Sequence, residues 1–332
     1  MALCPKTAKT EFAPVSLFVM SRRRHRPGAR DLHGILLLDK PLGMSSNKAL
    51  QVALTTLRAA KGGHTGALDP LATGLLPLCF GEATKIAGNL LGSQKAYLAE
   101  CRLGVTTTTA DGEGEVVDQR PVPTFDDATI ETALAAFRGR IVQVPPVYSA
   151  LKKDGEPLYL KARRGEAVQA PPREVDIYRL ELVSRTVDTL TLHVECGSGT
   201  YIRSLAVDLG ERLGCGAHLA ALRRLWVDPF REPVMVSLEQ LQEAAEQGED
   251  VLDRLVLPLA AGGADLPALH FDTEDSHAVS QGRQIEWPTE APRERSAAFG
   301  SDGRLLALVD CDEQGRIRIL RGFNLPISPV KA

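Results

Sequence analysis

The chain is predicted to fold as a mixed α/β protein of two domains, the second small and mostly β. Three observations predict this. Its 332 residues exceed what one ordinary hydrophobic core accommodates. Between residues 34 and 250, apolar runs of strand type are interleaved with capped, helix-periodic segments. The texture changes near residue 255, and from residue 266 onward the chain becomes short strand candidates separated by Gly and Asp-Gly turns, such as 304–309 and 316–320.

The elements follow in order. Residues 1–31 mix Pro, Arg and Thr without periodicity and read as a loose, disordered extension. Gly34-Ile-Leu-Leu-Leu-Asp39 suits a buried strand, and Lys40-Pro-Leu-Gly-Met44 a turn. Ser45 can cap a helix running to about residue 60, with Leu50, Leu54 and Leu57 at helical spacing. Residues 95–105 alternate, with Tyr97, Ala99, Cys101 and Leu103 on one face, as in a strand. Residues 106–118 read as a polar loop or hairpin, and 124–137 as a capped amphipathic helix. Residues 143–173 are long, basic and bounded by prolines, which suggests an exposed excursion. Residues 175–186 and 189–196 read as paired strands. Gly199 opens a helix stopped at Gly214, a short helix follows over 218–225, and Ser237-x-x-Gln240 is a capping box.

Composition narrows the function. Apolar content of 44% and charged content of 24% are those of a soluble globular chain. No apolar run approaches the roughly 20 residues that span a bilayer, and no secretory leader is visible. Six scattered cysteines without a Cys-x-x-Cys pair suit free thiols in a reducing cytoplasm. The net charge of −3 argues against a uniformly basic coat. Basic charge is local instead: Arg22, Arg23, Arg24, Arg26 and Arg30 in one run, then Lys152, Lys153, Lys161, Arg163 and Arg164 against Asp154 and Glu156. Such patches suggest one face for a polyanion.

The most informative segment is 62–74, Gly-Gly-His-Thr-Gly-Ala-Leu-Asp-Pro-Leu-Ala-Thr-Gly. Gly62, Gly63, Gly66 and Gly74 permit backbone angles closed to other residues, and Pro70 biases Asp69 away from helix. A constrained loop presenting one acid and one imidazole, His64, is how a site is built. The plain alternative is a glycine-rich turn whose Asp caps a helix starting at Leu71. Arg203 sits near a helix N-terminus, where its charge opposes the helix dipole and needs an anion; a guanidinium can fork onto a carboxylate and hold it ionised. The acidic run 111–118 matches no calcium-loop spacing and reads as a solvated turn. His193, Cys196, Cys215 and His218 offer zinc-type ligands, but His193 and Cys196 fall on opposite faces of a strand. No phosphate loop, dinucleotide fingerprint or nucleophile elbow is present.

Together the motifs are similar to the pattern of the TruB family of tRNA pseudouridine-55 synthases. Gly63-His-Thr-Gly-Ala-Leu-Asp-Pro-Leu-Ala-Thr-Gly74 resembles its signature. Asp39-Lys-Pro-Leu-Gly-Met-Ser-Ser46, Gly81-Glu-Ala-Thr-Lys85, Lys95-Ala-Tyr97, Tyr148-Ser-Ala-Leu-Lys152, Gly199-Thr-Tyr-Ile-Arg203 and Gly214-Cys-Gly-Ala-His-Leu-Ala-Ala-Leu-Arg-Arg224 follow in the family's order. The resemblance covers about residues 32–250 and, more weakly, the end. It implies a catalytic domain over 32–250 on a largely antiparallel sheet, with 145–173 gripping the T arm of tRNA, and a PUA-like RNA-binding domain over 255–330. It implies isomerisation of uridine in the T loop by a cytoplasmic monomer, after the base is swung out, with no cofactor or metal. In that reading Asp69 is the nucleophile, Arg203 its partner, and Tyr97 stacks on the extruded base and takes a proton late in the reaction. His64 fills the vacated stack, Tyr201 and Leu222 line the base pocket, and Lys40 and Lys85 contact substrate. Without the resemblance, Tyr97 reads as a core aromatic and Leu222 as helix packing. A non-catalytic RNA binder or tRNA-folding chaperone is the main alternative, and an aspartate-dependent nucleoside hydrolase a weaker one.

Overall fold

The computed structural model describes residues 28–88 and 94–325, apart from positions 150, 151, 154, 155, 158, 159, 162, 163, 165, 167, 169, 284, 289 and 292. The chain runs β1 (Gly34–Lys40), α1 (Ser46–Thr56), β2 (Gly62–His64), β3 (Ala72–Phe80), a 3-10 turn (Gly81–Lys85), β4 (Lys95–Leu103), β5 (Val105–Thr107), β6 (Val116–Gln119), α2 (Asp127–Ala135) and β7 (Gly139–Gln143). It continues through β8 (Lys152–Lys153), β9 (Glu156–Pro157), β10 (Arg173–Arg185), β11 (Thr189–Cys196), α3 (Ile202–Arg212), β12 (Ala217–Val227), α4 (Leu238–Gln247) and α5 (Glu249–Asp253). After a 3-10 turn (Leu259–Gly263) come β13 (Ala268–His270), α6 (Thr273–Ser280), β14 (Ser296–Phe299), β15 (Leu305–Cys311) and β16 (Ile317–Gly322).

The main sheet has the order β1-β3-β12-β4-β11-β10-β7, with β2 also paired to β3. Its pairings are antiparallel except β12 with β3. Strand β3 changes partners along one edge: its first residues pair with β12 (Ala72 with Leu222, Gly74 with Arg224), and its last with β2 (Leu78 with His64). The loop carrying Asp69 leaves β2 and re-enters β3 where that edge divides. Both sheet faces are covered, which explains the unbroken Ile-Leu-Leu-Leu run of β1. Leu36 and Leu38 join a core with α1, α3 and α4. Ile35 and Leu37 point the other way, into a core shared with Ala297, Leu305 and Leu308 of the C-terminal sheet and with Phe323 just after its last strand.

Several expectations hold locally. Ser45 caps α1 by accepting from the Lys48 N–H. Ser237 and Gln240 form a reciprocal capping box at α4. Tyr97, Ala99, Cys101 and Leu103 are buried along β4.

Others are corrected. No helix starts at Leu71; β3 follows, because Gly74 and Pro77 are poor helix residues and Leu75, Leu76, Leu78, Cys79 and Phe80 are buried on both faces. Residues 218–225 belong to β12, not to a short helix. Bulges between Leu219 and Ala221 and between Arg224 and Trp226 break strict alternation, so Leu219 and Leu222 acquire a helix-like spacing. Of the four loop glycines, only Gly66 (φ 125°) and Gly74 (φ 94°) adopt positive φ. The C-terminal part forms a four-stranded sheet, β13-β14-β15-β16, and also contains α6, capped by Asp272.

Residues 1–27, most of the expected extension, lie outside the described residues. Its described end is held on the body: Arg30 forks onto the Asp253 carboxylate and its backbone bonds Arg58 and Ala60. The stretch 145–173 is described only in part. There the Arg164 guanidinium is paired with Glu156 and Glu166, so this charge is spent inside the excursion.

Gly74 is the tightest backbone approach near the site. A Cβ there would lie 2.2 Å from the Arg224 carbonyl oxygen, on a backbone at φ +94°. Gly74→Ala is therefore expected to destabilise the fold by about 2–4 kcal/mol, combining backbone strain and overpacking. Thermal or urea melting checks this, and an unchanged midpoint would refute it.

Candidate active site

The Asp69 loop is fixed from three directions. Ser46, the first residue of α1, donates its hydroxyl to the Leu68 carbonyl at 2.9 Å and accepts from the Leu68 N–H at 2.7 Å. The Gly43 N–H donates to the Pro70 carbonyl at 2.8 Å, and the Ala72 N–H closes a turn onto the Asp69 carbonyl at 3.0 Å. Lys40 is fully buried, and its ammonium donates to the carbonyls of Pro41 (2.7 Å), Met44 (2.6 Å) and Pro70 (3.4 Å). Burial lowers the Lys40 pKa to about 8; Asp69 and Glu113 oppose this and Arg224 adds to it. With no exposed surface, this lysine is a clamp on the loop.

The Asp69 carboxylate meets Arg203, its Oδ2 lying 3.0 Å from Nε. The rest of the guanidinium is occupied. Nη1 donates to Asp111 Oδ2 (3.3 Å) and the Thr109 carbonyl (3.2 Å), and Nη2 to the Tyr148 carbonyl (2.9 Å). Arg203 lies in the first turn of α3, where its charge opposes the helix dipole, and the two carboxylates offset this. Asp111 is the residue that sequence reasoning missed. In sequence its acidic run reads as a solvated turn, yet its side chain is only 3% exposed. The β5–β6 hairpin folds the run inward, with the Gly112 N–H donating to the Leu219 carbonyl. Asp111 Oδ1 then accepts from the Thr109 hydroxyl and the Glu113 N–H.

The Asp69 side chain keeps 43% of its surface open, so one face of the carboxylate remains available. Its pKa is raised above the ordinary aspartate value, first by burial and further by Asp111, while Arg203 and Lys40 oppose the rise. Such an acid is more basic than a free aspartate, which suits reversible attack on carbon.

Tyr97 lies on β4, opposite Arg224 of β12, and is 8% exposed. Its hydroxyl is hydrogen-bonded to the Arg224 guanidinium, and burial pushes the phenol pKa up to about 12. Leu222, 9% exposed, pairs with Ala72 and Ala99. Tyr201 is the N-cap residue of α3. Its N–H donates to Gln143 Oε1 and its carbonyl accepts from Gln143 Nε2, while the Arg173 guanidinium lies 5.3 Å from its ring centre. His64 ends β2; burial, with Arg224, lowers its pKa and so disfavours the protonated ring.

Lys85 is placed elsewhere. Its ammonium bonds Glu82 and the Gly322 carbonyl, and Glu82 in turn accepts from the Asn324 N–H. This lysine ties the 3-10 turn to the C-terminal sheet and shares no partner with the Asp69 cluster. Among the described residues, no three His, Cys, Asp or Glu side chains converge as a metal-binding group, and no helix is long and apolar enough to cross a membrane.

Comparison with known proteins places this geometry in a family. Residues 55–202 match the TruB family pseudouridylate synthase N-terminal domain, and 203–262 match the tRNA pseudouridylate synthase B C-terminal domain. The latter match covers α3, β12, α4 and α5 rather than the C-terminal sheet. A tRNA pseudouridine synthase B of Xanthomonas campestris is 56% identical over 301 residues, covering 91% of this chain and 97% of that protein. That of Pseudomonas fluorescens is 50% identical over 295 residues, covering 87% and 94%. In fold, the chain is similar to a solved Cbf5-Nop10-Gar1 complex, with a TM-score of 0.71 at 23% identity over 95% of each chain. The chain belongs to the TruB family of pseudouridylate synthases.

Proposed function

We propose that this enzyme isomerises uridine to pseudouridine in the T loop of tRNA, with Asp69 as the nucleophile. The observation that carries the reading is the half-open Asp69 carboxylate bound to a buried arginine that a second carboxylate also holds. The relatives named tRNA pseudouridine synthase B over nearly the whole chain support the substrate class. In this reading the base is extruded and stacks on Tyr97, Tyr201 and Leu222 shape its pocket, and His64 props the vacated stack. Asp69 adds to the substrate, the bond between ribose and uracil breaks, the base turns and rejoins through carbon as the carboxylate leaves, and the proton on that carbon is lost to Tyr97 while the ring nitrogen freed from ribose gains one. Arg203 keeps the carboxylate ionised and aimed. Reactant and product have the same atoms, so the step needs no redox partner or nucleotide. A pure RNA binder would have no use for the Asp69–Arg203–Asp111 cluster.

The protein acts as a monomer in the cytoplasm. The excursion over 145–173 and the C-terminal sheet, read as PUA-like, grip the T arm through phosphate contacts. Such contacts release counterions, so tRNA affinity is expected to fall at least about tenfold between about 50 and 200 mM salt. A filter-binding titration checks this, and salt-independent affinity would remove the phosphate-grip argument. The function itself is tested by incubating the protein with an unmodified tRNA transcript and mapping pseudouridine. Modification confined to the T loop is expected. Turnover of free uridine, or none on tRNA, would sink the proposal.

A further inference from the structure

Arg224 has no part in the reaction described above, yet it heads the fully buried side chains in size, at 1% exposure. Its Nε donates to the Leu75 carbonyl at 2.7 Å in β3, and Nη2 to the Gly66 carbonyl at 3.1 Å in the Asp69 loop. The guanidinium also bonds the Tyr97 hydroxyl, and the strand register sets Arg224 between Tyr97 and Gly74. All three acceptors are neutral, and among the described residues no carboxylate pairs with this cation. A buried charge without a counter-ion is costly, whereas an apolar side chain of similar length would fill the space without that penalty. Its effect therefore lies in what it does to its neighbours. In a low dielectric its field is strong. It opposes protonation of His64, Lys40 and Lys95, and it lowers the Tyr97 phenol pKa against the larger effect of burial.

We propose that Arg224 is a positioning residue that holds Tyr97 and the Asp69 loop on one guanidinium, donating to the phenol oxygen so that the Tyr97 O–H is aimed at the base. The inference rests on the reading of Tyr97 as the residue stacked on the extruded uracil. A phenol that accepts from a cation is a stronger donor through the same oxygen. When the bond to ribose breaks, negative charge gathers on the uracil ring. An O–H with a cation behind it, oriented in advance, meets that charge without reorganisation. The bond to Gly66 keeps the loop that carries Asp69 in register with that hydroxyl.

The test compares the wild type with Arg224→Gln in single-turnover pseudouridine formation, tRNA binding and the Tyr97 Cζ chemical shift at neutral pH. The phenol is followed by carbon NMR of labelled tyrosine, with the signal assigned through Tyr97→Phe. Arg224→Gln is expected to lower the rate constant about 10²-fold, with tRNA affinity held within about threefold. Loss of the guanidinium donor is expected to move the Tyr97 Cζ signal at neutral pH. An unmoved Tyr97 Cζ signal, an unchanged rate constant, or a rate loss matched by an equal loss of tRNA affinity overturns the proposal. Should Arg224→Gln fail to fold, nitrogen NMR of the arginine guanidinium in the wild type and in Tyr97→Phe decides instead. A protected Arg224 signal that shifts when the hydroxyl is removed is expected, and an unshifted one overturns it. A wild-type protein that makes no pseudouridine would defeat the functional reading itself, an outcome separate from any behaviour of Arg224.

Discussion

Asp69→Asn is expected to reduce pseudouridine formation at least about 10⁴-fold while tRNA binding stays within a few fold of the wild type. The amide keeps the shape of the side chain but is not a nucleophile. Binding is spared because the loop is held by Ser46, Gly43 and Lys40 through backbone atoms, none of which requires the Asp69 charge. Arg203 also keeps Asp111 and the carbonyls of Thr109 and Tyr148. The same substitution carries a stability prediction of unusual sign. The Asp69 pKa is raised in the folded state, so at neutral pH folding disfavours the ionised form relative to the unfolded chain. This destabilisation is present above the raised pKa and disappears as pH falls through the ordinary aspartate value. The inactive Asn variant is therefore expected to melt at the wild-type temperature or above it at neutral pH. Retained turnover would remove Asp69 from the chemistry. A sharply lowered melting temperature would mean that the carboxylate is structural.

The parts of the site that were legible in sequence are those where local chemistry is unusual. A lone acid before proline in a glycine-rich loop, and an arginine at a helix N-terminus, each violate a local preference, and each violation marks a long-range partner. Asp111 was not legible because its burial depends on the β5–β6 hairpin folding under β12, a contact across about a hundred residues of chain that leaves only an ordinary acidic run in the sequence. Arg224 was hidden by two bulges that gave a strand the spacing of a helix. The β3 segment misled in the opposite way: buried on both faces, it lost the alternation that identifies a half-exposed strand. The change of texture near residue 255 precedes the β13-β14-β15-β16 sheet. What composition does not report is that Ile35, Leu37 and Leu75 of the catalytic sheet share a core with Leu305, Leu308 and Phe323.

The Asp69–Arg203–Asp111 triangle predicts two pH profiles that move in opposite directions. Ionised Asp69 is the reactive form, so activity falls as pH drops through its pKa, and in the wild type that acid limb lies above the ordinary aspartate value of about 3.9. The Asp111 carboxylate raises the Asp69 pKa, so Asp111→Asn is expected to move the limb to lower pH. Arg203 lowers it, so Arg203→Gln is expected to move the limb to higher pH. The arginine variant carries a second consequence. It strands the Asp111 side chain, 3% exposed, without its cation, and breaking a buried pair from one side costs about 3–5 kcal/mol. Asp111→Asn leaves no such orphan charge, because an amide oxygen still accepts from the Thr109 hydroxyl and the Glu113 N–H. Arg203→Gln is thus expected to lose far more stability than Asp111→Asn, and to lose turnover even where it remains folded. Profiles of kcat/KM against pH for the two variants, with urea melts of both, decide the matter. Limbs that shift the same way would mean that Asp69 does not titrate in the field of this triangle. Equal melts would mean that Asp111 is not the charge Arg203 holds.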